Sequence, residues 1–158
     1  MKQLWAPWRM TFIKSQKTDE CIFCVKPKES KDLDNFILFK NKRSFVMMNI
    51  YPYNHAHLLV CPYDHVNGLD LLSKETAAEM METVQLSISA LKQAFHPDGF
   101  NIGVNMGKAA GAGIEDHVHI HIVPRWTGDT NFMPLLAEVK AMPEHLELTY
   151  RKILPFFK

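Results

Sequence analysis

Three histidines stand at alternate positions, His117, His119 and His121, with Val118, Ile120 and Ile122 between them. A chain of 158 residues with eight histidines would hold about 0.02 such triplets by chance, by template counting, so the pattern asks for a cause. On a strand, successive side chains point to opposite faces, which puts the three imidazoles on one face and the three aliphatics on the other. Neutral imidazole serves two chemistries. It ligates metals, and it attacks phosphorus as the nucleophile of phosphoryl or nucleotidyl transfer. For transfer, one ring nitrogen attacks while the other is held by an acceptor that fixes the tautomer, and neighbouring imidazoles donate to phosphate oxygens. His119, in the middle, is the best placed nucleophile. Spacing alone does not choose between metal and transfer.

Cys21 and Cys24 form a second constellation, with the two-residue spacing by which thiolates share one tetrahedral zinc. Half a site needs two more ligands, and a pair of reduced thiols is the alternative. Cys61 sits in an apolar run and reads as a small buried hydrophobe. The segment 106–113 is a loop of small residues whose glycines let backbone N–H groups approach phosphate oxygens closely. Strand alternation would set Glu115 on the histidine side, where it could orient an imidazole, and Asp116 on the other; a solvated acidic flank is the simpler reading. Arg125 and Trp126 could reach a polyphosphate tail or a second base, and a snorkelling Arg and a packed Trp explain them equally well. His55, His96 and His145 have no matching partners.

The elements that must position these residues follow from pattern. Residues 36–39 and 44–48 are apolar runs separated by a polar Lys-Asn-Lys-Arg turn and read as paired strands, with a third at 57–61 ended by Pro62. Ala77, Met80, Met81, Val84, Ile88, Leu91 and Phe95 recur at helical spacing over 73–95, with Ser73 as N-cap and Pro97-Asp98-Gly99 as the stop. Residues 100–105 and 117–123 are two further strands. Pro143 at a first helical turn, followed by Leu146, Tyr150, Ile153 and Leu154, predicts a C-terminal helix. The fold class is therefore α+β, an antiparallel sheet of about five strands with helices on one face and chemistry on the other. The first 30 residues, which include Trp5, Pro7, Trp8 and Phe12, lack periodicity and read as an arm over a single domain spanning 31–158.

Composition narrows the function classes. Eighteen basic and seventeen acidic residues are scattered, not blocked, so no nucleic-acid groove is implied, though a small anion remains a possible ligand. No apolar run is long enough to span a membrane and no signal-like stretch opens the chain. Three cysteines suit a reducing compartment. A cytoplasmic protein is expected.

His117 to Val123 matches the His-φ-His-φ-His-φ-φ motif of the histidine triad (HIT) family of nucleotidyl hydrolases and transferases, and the chain resembles that family from about residue 36 to residue 125. The earlier strand, His57-Leu58-Leu59-Val60-Cys61-Pro62, resembles the family strand whose histidine joins the site. The resemblance implies that His119 forms a covalent nucleotidyl-histidine, that His121 and Asn105 contact phosphate, and that His57 supports the site. It also implies that Asn49 contacts ribose and that Ile50 lines the base pocket. The flanks 4–10, 49–54 and 124–132 resemble the bacterial diadenosine tetraphosphate phosphorylase branch. That implies a small nucleotide substrate, no organic cofactor and a homodimer. Relatives often carry Gly-Gln-Ser/Thr where this chain has Ala112-Gly113-Ile114, so backbone N–H groups of Gly111 to Gly113 are expected to replace the missing hydroxyl and amide. Family members with the same Cys pair complete a Cys2His2 zinc site with two histidines, here His65 and His117. The triad would then divide its work, His117 binding structural zinc and His119 and His121 doing the chemistry.

Overall fold

In the computed structural model, which describes residues 20–129 and 142–157, the apolar runs become five strands: β1 (Ile37–Lys40), β2 (Ser44–Met48), β3 (Leu58–Pro62), β4 (Gly99–Val104) and β5 (Ile120–Arg125). They lie in the order β1-β2-β3-β5-β4, and each neighbouring pair is antiparallel. A short helix α1 (Ile22–Val25) precedes the sheet, α2 (Lys74–Phe95) links β3 to β4, and α3 (Leu146–Ile153) follows β5. The α+β architecture is the expected one. Ser73 caps α2 by accepting the Thr76 N–H at 3.0 Å, and His96 closes it in the left-handed region at φ 47°. Among the described residues, no helix is long and apolar enough to cross a membrane.

Alternation along the strands builds two cores. On one face Val46, Met48, Leu58, Val60, Ile120 and Ile122 pack against Met80, Val84 and Leu91 of α2 and Tyr150 and Ile153 of α3. On the other, Phe45, Met47, Leu59 and Cys61 pack with Ile37 and with Phe23 of α1. β2 and β3 are therefore buried on both faces, which is why they read as continuous apolar runs. The histidine face is thus partly roofed by α1.

Several strand ends shift by one or two residues, and Pro62, expected to stop β3, is its last residue; two boundaries differ by more. Pairing of the histidine strand starts at Ile120, not at residue 117. Pro62 has no N–H to give a partner there, and the Val118 N–H instead donates to the Val66 carbonyl at 2.7 Å. The helix expected around Pro143 begins at Leu146, with His145 extended at φ −68°, ψ 143°. Glu144, outside the helix, accepts the Thr149 hydroxyl at 3.0 Å and pairs with Lys152, which holds the entry segment off the helical path. The expectations for Trp5, Pro7, Trp8 and Phe12, and those for residues 130–132, lie outside the described residues.

Candidate active site and metal centre

Each triad imidazole has a fixed partner, and the partner dictates which nitrogen carries the proton. A carbonyl oxygen can only accept, so a ring nitrogen bonded to one must be protonated. His119 Nδ1 donates to the His117 carbonyl at 2.9 Å, which leaves its Nε2 with a free lone pair. His117 Nε2 donates to the Pro62 carbonyl at 2.9 Å, which leaves its Nδ1 with the lone pair. The third ring is set by a relay. The Tyr53 N–H donates to His57 Nδ1 at 3.0 Å, so the proton of His57 lies on Nε2, which donates to His121 Nδ1 at 3.0 Å. His121 therefore carries its proton on Nε2. That atom is the buried side-chain nitrogen without a partner among the described residues. A free lone pair on His119 and an unused N–H donor on His121 thus sit on rings whose centroids are 4.7 Å apart.

Burial keeps these rings neutral. It pushes the His57 pKa down to about 3, helped by the His121 and His119 charges, and that of His121 to about 4, helped by His119. His119 is lowered for the same reason, against the pull of its bond to the His117 carbonyl. Neutral rings are what the relay requires, because a protonated His57 or His121 would have no lone pair left to accept.

His117 faces away from this pair, toward the arm. Its Nδ1 lies 3.4 Å from Cys21 Sγ, 3.6 Å from Cys24 Sγ and 3.3 Å from His65 Nδ1, while Cys24 Sγ is 3.2 Å from His65 Nδ1. All four donor atoms lie within 4.8 Å of one another and could hold a metal ion. The cysteines come from α1 and its N-cap, and Phe23 between them packs against the rings of His117 (5.3 Å) and His119 (4.9 Å). One turn of helix thus supplies both thiols and the wall behind His119.

The remaining expected residues take varied places. The Asn49 side-chain Oδ1 accepts the Tyr51 N–H at 2.9 Å, which turns its Nδ2 toward His57 Nδ1 at 3.3 Å. Ile50 and Asn105 are half-buried. Gly111 and Gly113 lie exposed on the loop after β4, a single 3-10 turn between Gly107 (φ 78°) and Gly111 (φ 82°). A Cβ at either Gly111 or Gly113 would meet no atom within 4 Å, so the loop fronts open space. Glu115 and Asp116 are exposed in the turn before His117. Cys61 is fully buried, as a hydrophobe should be. Arg125 clamps Asp129 (2.7 and 2.8 Å) and Asn101 (2.8 Å), and Trp126 donates from Nε1 to the Phe95 carbonyl at 3.3 Å. His55, without a partner in the sequence pattern, packs against Phe95 and Trp126.

Sequence reasoning missed Tyr53, whose N–H starts the relay and whose ring stacks on His121 at 5.5 Å and 17°. It also missed Phe23 and the Pro62 carbonyl. An aromatic lying between two paired cysteines was the signal available for Phe23.

The same fold recurs in known proteins. The family model described as the HIT domain matches residues 30–128. The "AP-4-A phosphorylase" of Mycobacterium tuberculosis is 34% identical over 160 residues, covering 96% of this chain and 82% of the relative. Among solved structures, a histidine triad nucleotide-binding protein of Sulfolobus tokodaii superposes with a TM-score of 0.70 at 28% identity, covering 86% of this chain and 91% of that one. A zinc-bound histidine triad family protein of Mycobacterium smegmatis gives 0.69 at 30% identity, covering 87% and 92%. With a complete triad, a matching five-stranded sheet and relatives that align along nearly its whole length, the chain belongs to the histidine triad family.

Proposed function

We propose that this protein cleaves diadenosine polyphosphates, diadenosine tetraphosphate first among them, by phosphorolysis through an adenylyl group on His119. The observation that carries the reading is the pairing of a free Nε2 lone pair on His119 with the unpartnered N–H of His121. His119 Nε2 attacks the α-phosphorus, the P–N bond forms, and the bridging P–O bond breaks to release ATP. His121 donates its Nε2–H to a phosphate oxygen as charge builds there. Orthophosphate then attacks the same phosphorus, the P–N bond breaks, and ADP leaves with His119 restored. Asn49 and Ile50 take the ribose and base, and Asn105 with the backbone of Gly111 and Gly113 takes the polyphosphate. The likeness to the mycobacterial phosphorylase supports the choice of substrate and acceptor.

A second reading, hydrolysis of dinucleoside polyphosphates or phosphoramidates, is favoured by the open space before Gly111 and Gly113, through which water could reach the intermediate. Nucleotide separation after incubation with diadenosine tetraphosphate distinguishes them: ADP with ATP in the presence of phosphate for phosphorolysis, AMP with ATP for hydrolysis. His119→Ala should abolish either while leaving the fold intact. Turnover at the wild-type rate in that variant would sink the mechanism.

Cys21, Cys24, His65 and His117 would hold a structural zinc ion. Tetrahedral zinc at its usual bond lengths separates neighbouring S and N donors by about 3.4–3.8 Å, close to the 3.2–3.6 Å spacings here. Its chemistry is to fasten the arm, not to act on substrate. Elemental analysis should find one zinc per chain. Three cysteines outside any disulfide support a reducing, cytoplasmic setting. A homodimer through β4 is supported by its place at the sheet edge with Ile102 47% exposed, and sedimentation of Ile102→Glu as monomer would bear it out.

A further inference from the structure

The relay that gives His121 its donor begins at a backbone N–H in the loop between β2 and β3, so something must hold that loop. Tyr53 itself is 52% exposed, and Ala56, three residues further on, has φ 56°, a conformation that L residues seldom adopt. Neither feature favours this loop geometry by itself. The next residue, Asn54, is buried and turns the opposite way, its amide donating to the Pro124 carbonyl at 2.9 Å and to Asp129 Oδ2 at 2.6 Å. Asp129 is itself fixed: both its oxygens accept from Arg125, at 2.7 and 2.8 Å, and Oδ2 also accepts the Trp126 N–H at 3.1 Å.

We propose that Asn54, anchored by Asp129, is a positioning residue of the active site: it pins the loop so that the Tyr53 N–H meets His57 Nδ1, and thereby sets the proton on His121 Nε2. The chain of contacts runs from Asp129 to Asn54, along one peptide unit to Tyr53, and through His57 to His121. Each hydrogen bond along it has its donor and its acceptor in fixed order. The Asn49 amide also donates to His57 Nδ1, at 3.3 Å, so Asn54 acts through the shorter of two bonds to that nitrogen, and through it on whether His121 faces the phosphate as donor or as acceptor. The tautomer claim stands on hydrogen bonds alone, and its catalytic consequence rests on the reading of His121 as the phosphate donor.

Long-range proton–nitrogen NMR spectra of the full-length, nitrogen-15-labelled protein test it, since they report which ring nitrogen of each histidine is protonated. In the wild type, His57 and His121 should both be protonated at Nε2. In Asn54→Ala, both rings should become mixtures of the two tautomers, and kcat should fall about 10- to 100-fold with KM changed less than about 3-fold. Asp129→Asn should show a smaller change of the same kind, because its amide oxygen can still accept from Asn54 while the charge is gone. Wild-type ring signals in a folded Asn54→Ala protein would overturn the proposal, as would protonation of His57 at Nδ1 in the wild type. If Asn54→Ala does not fold, unshifted rings in Asp129→Asn overturn it equally. A wild type with the expected tautomers that turns over no dinucleotide would refute the catalytic reading and leave the positioning role standing.

Discussion

His117, His119 and His121 are chemically identical and two residues apart, yet each presents a different free atom because of what faces its other ring nitrogen. A carbonyl on Nε2 leaves His117 its lone pair on Nδ1; a carbonyl on Nδ1 leaves His119 its lone pair on Nε2; an imidazole on Nδ1 leaves His121 an N–H on Nε2. This division leaves a signature in acid. An unfolded histidine takes up its proton near pH 6.5, whereas folded His121 and His57 resist until about 4 and 3. Between those values the unfolded state binds more protons, so stability is fully present above pH 6.5 and falls as pH drops, by up to about 1.4 kcal/mol per pH unit for each ring. Urea midpoints measured at pH 7.5, 6 and 5 should decline in that order. His121→Gln, which cannot titrate, should flatten the decline, and an unchanged slope would mean that burial does not hold this ring neutral.

At the scale of elements, α1 is the shortest of the three α-helices and among the most consequential, because its single turn presents Phe23 between the two thiols. Phe23 is buried in the second core and touches two triad rings. Phe23→Ala should cost about 3–5 kcal/mol by the cavity it leaves, seen as a lower urea midpoint. Metal content by elemental analysis should be retained, since no ligand is removed. Ser73→Ala, at the other end of the size range, should cost only about 1 kcal/mol for one lost cap on the 22-residue helix. The ease of reading these elements follows how local their causes are. The helix α2 carried its own cap, period and stop within 73–99, and β2 its boundaries in the polar turn before Ser44. The start of β5 depended on Pro62, 58 residues before Ile120, and the entry to α3 on a carboxylate bonding forward to Thr149. The site divides the same way: the triad spacing and the Cys pair are local patterns, whereas Asn54 meets Asp129 across 75 residues and carries no spacing signal.

At the scale of the whole molecule, long-range ties join segments that the sheet alone would leave loose. The cysteine–histidine cluster draws residues 21–24 to 65 and 117, and Asn54 joins the β2–β3 loop to the end of β5. The C-terminal helix is tied in by Tyr150, which is buried and donates its hydroxyl to the Ile37 carbonyl at 2.9 Å, across 113 residues. That carbonyl lies where the β1–β2 register shifts between Ile37 and Phe39. An irregular ladder leaves a main-chain acceptor to be satisfied from elsewhere, and the tyrosine does so from the opposite end of the chain. Tyr150→Phe keeps the ring and its packing but strands this buried oxygen, which costs about 1–3 kcal/mol. For a chain of this size the melting temperature should fall by roughly 3–10 °C. The site lies across the sheet from this bond, so kcat and metal content should match the wild type. Equal melting temperatures for the two proteins would show that the Ile37 carbonyl finds another donor and that the helix is held by packing alone.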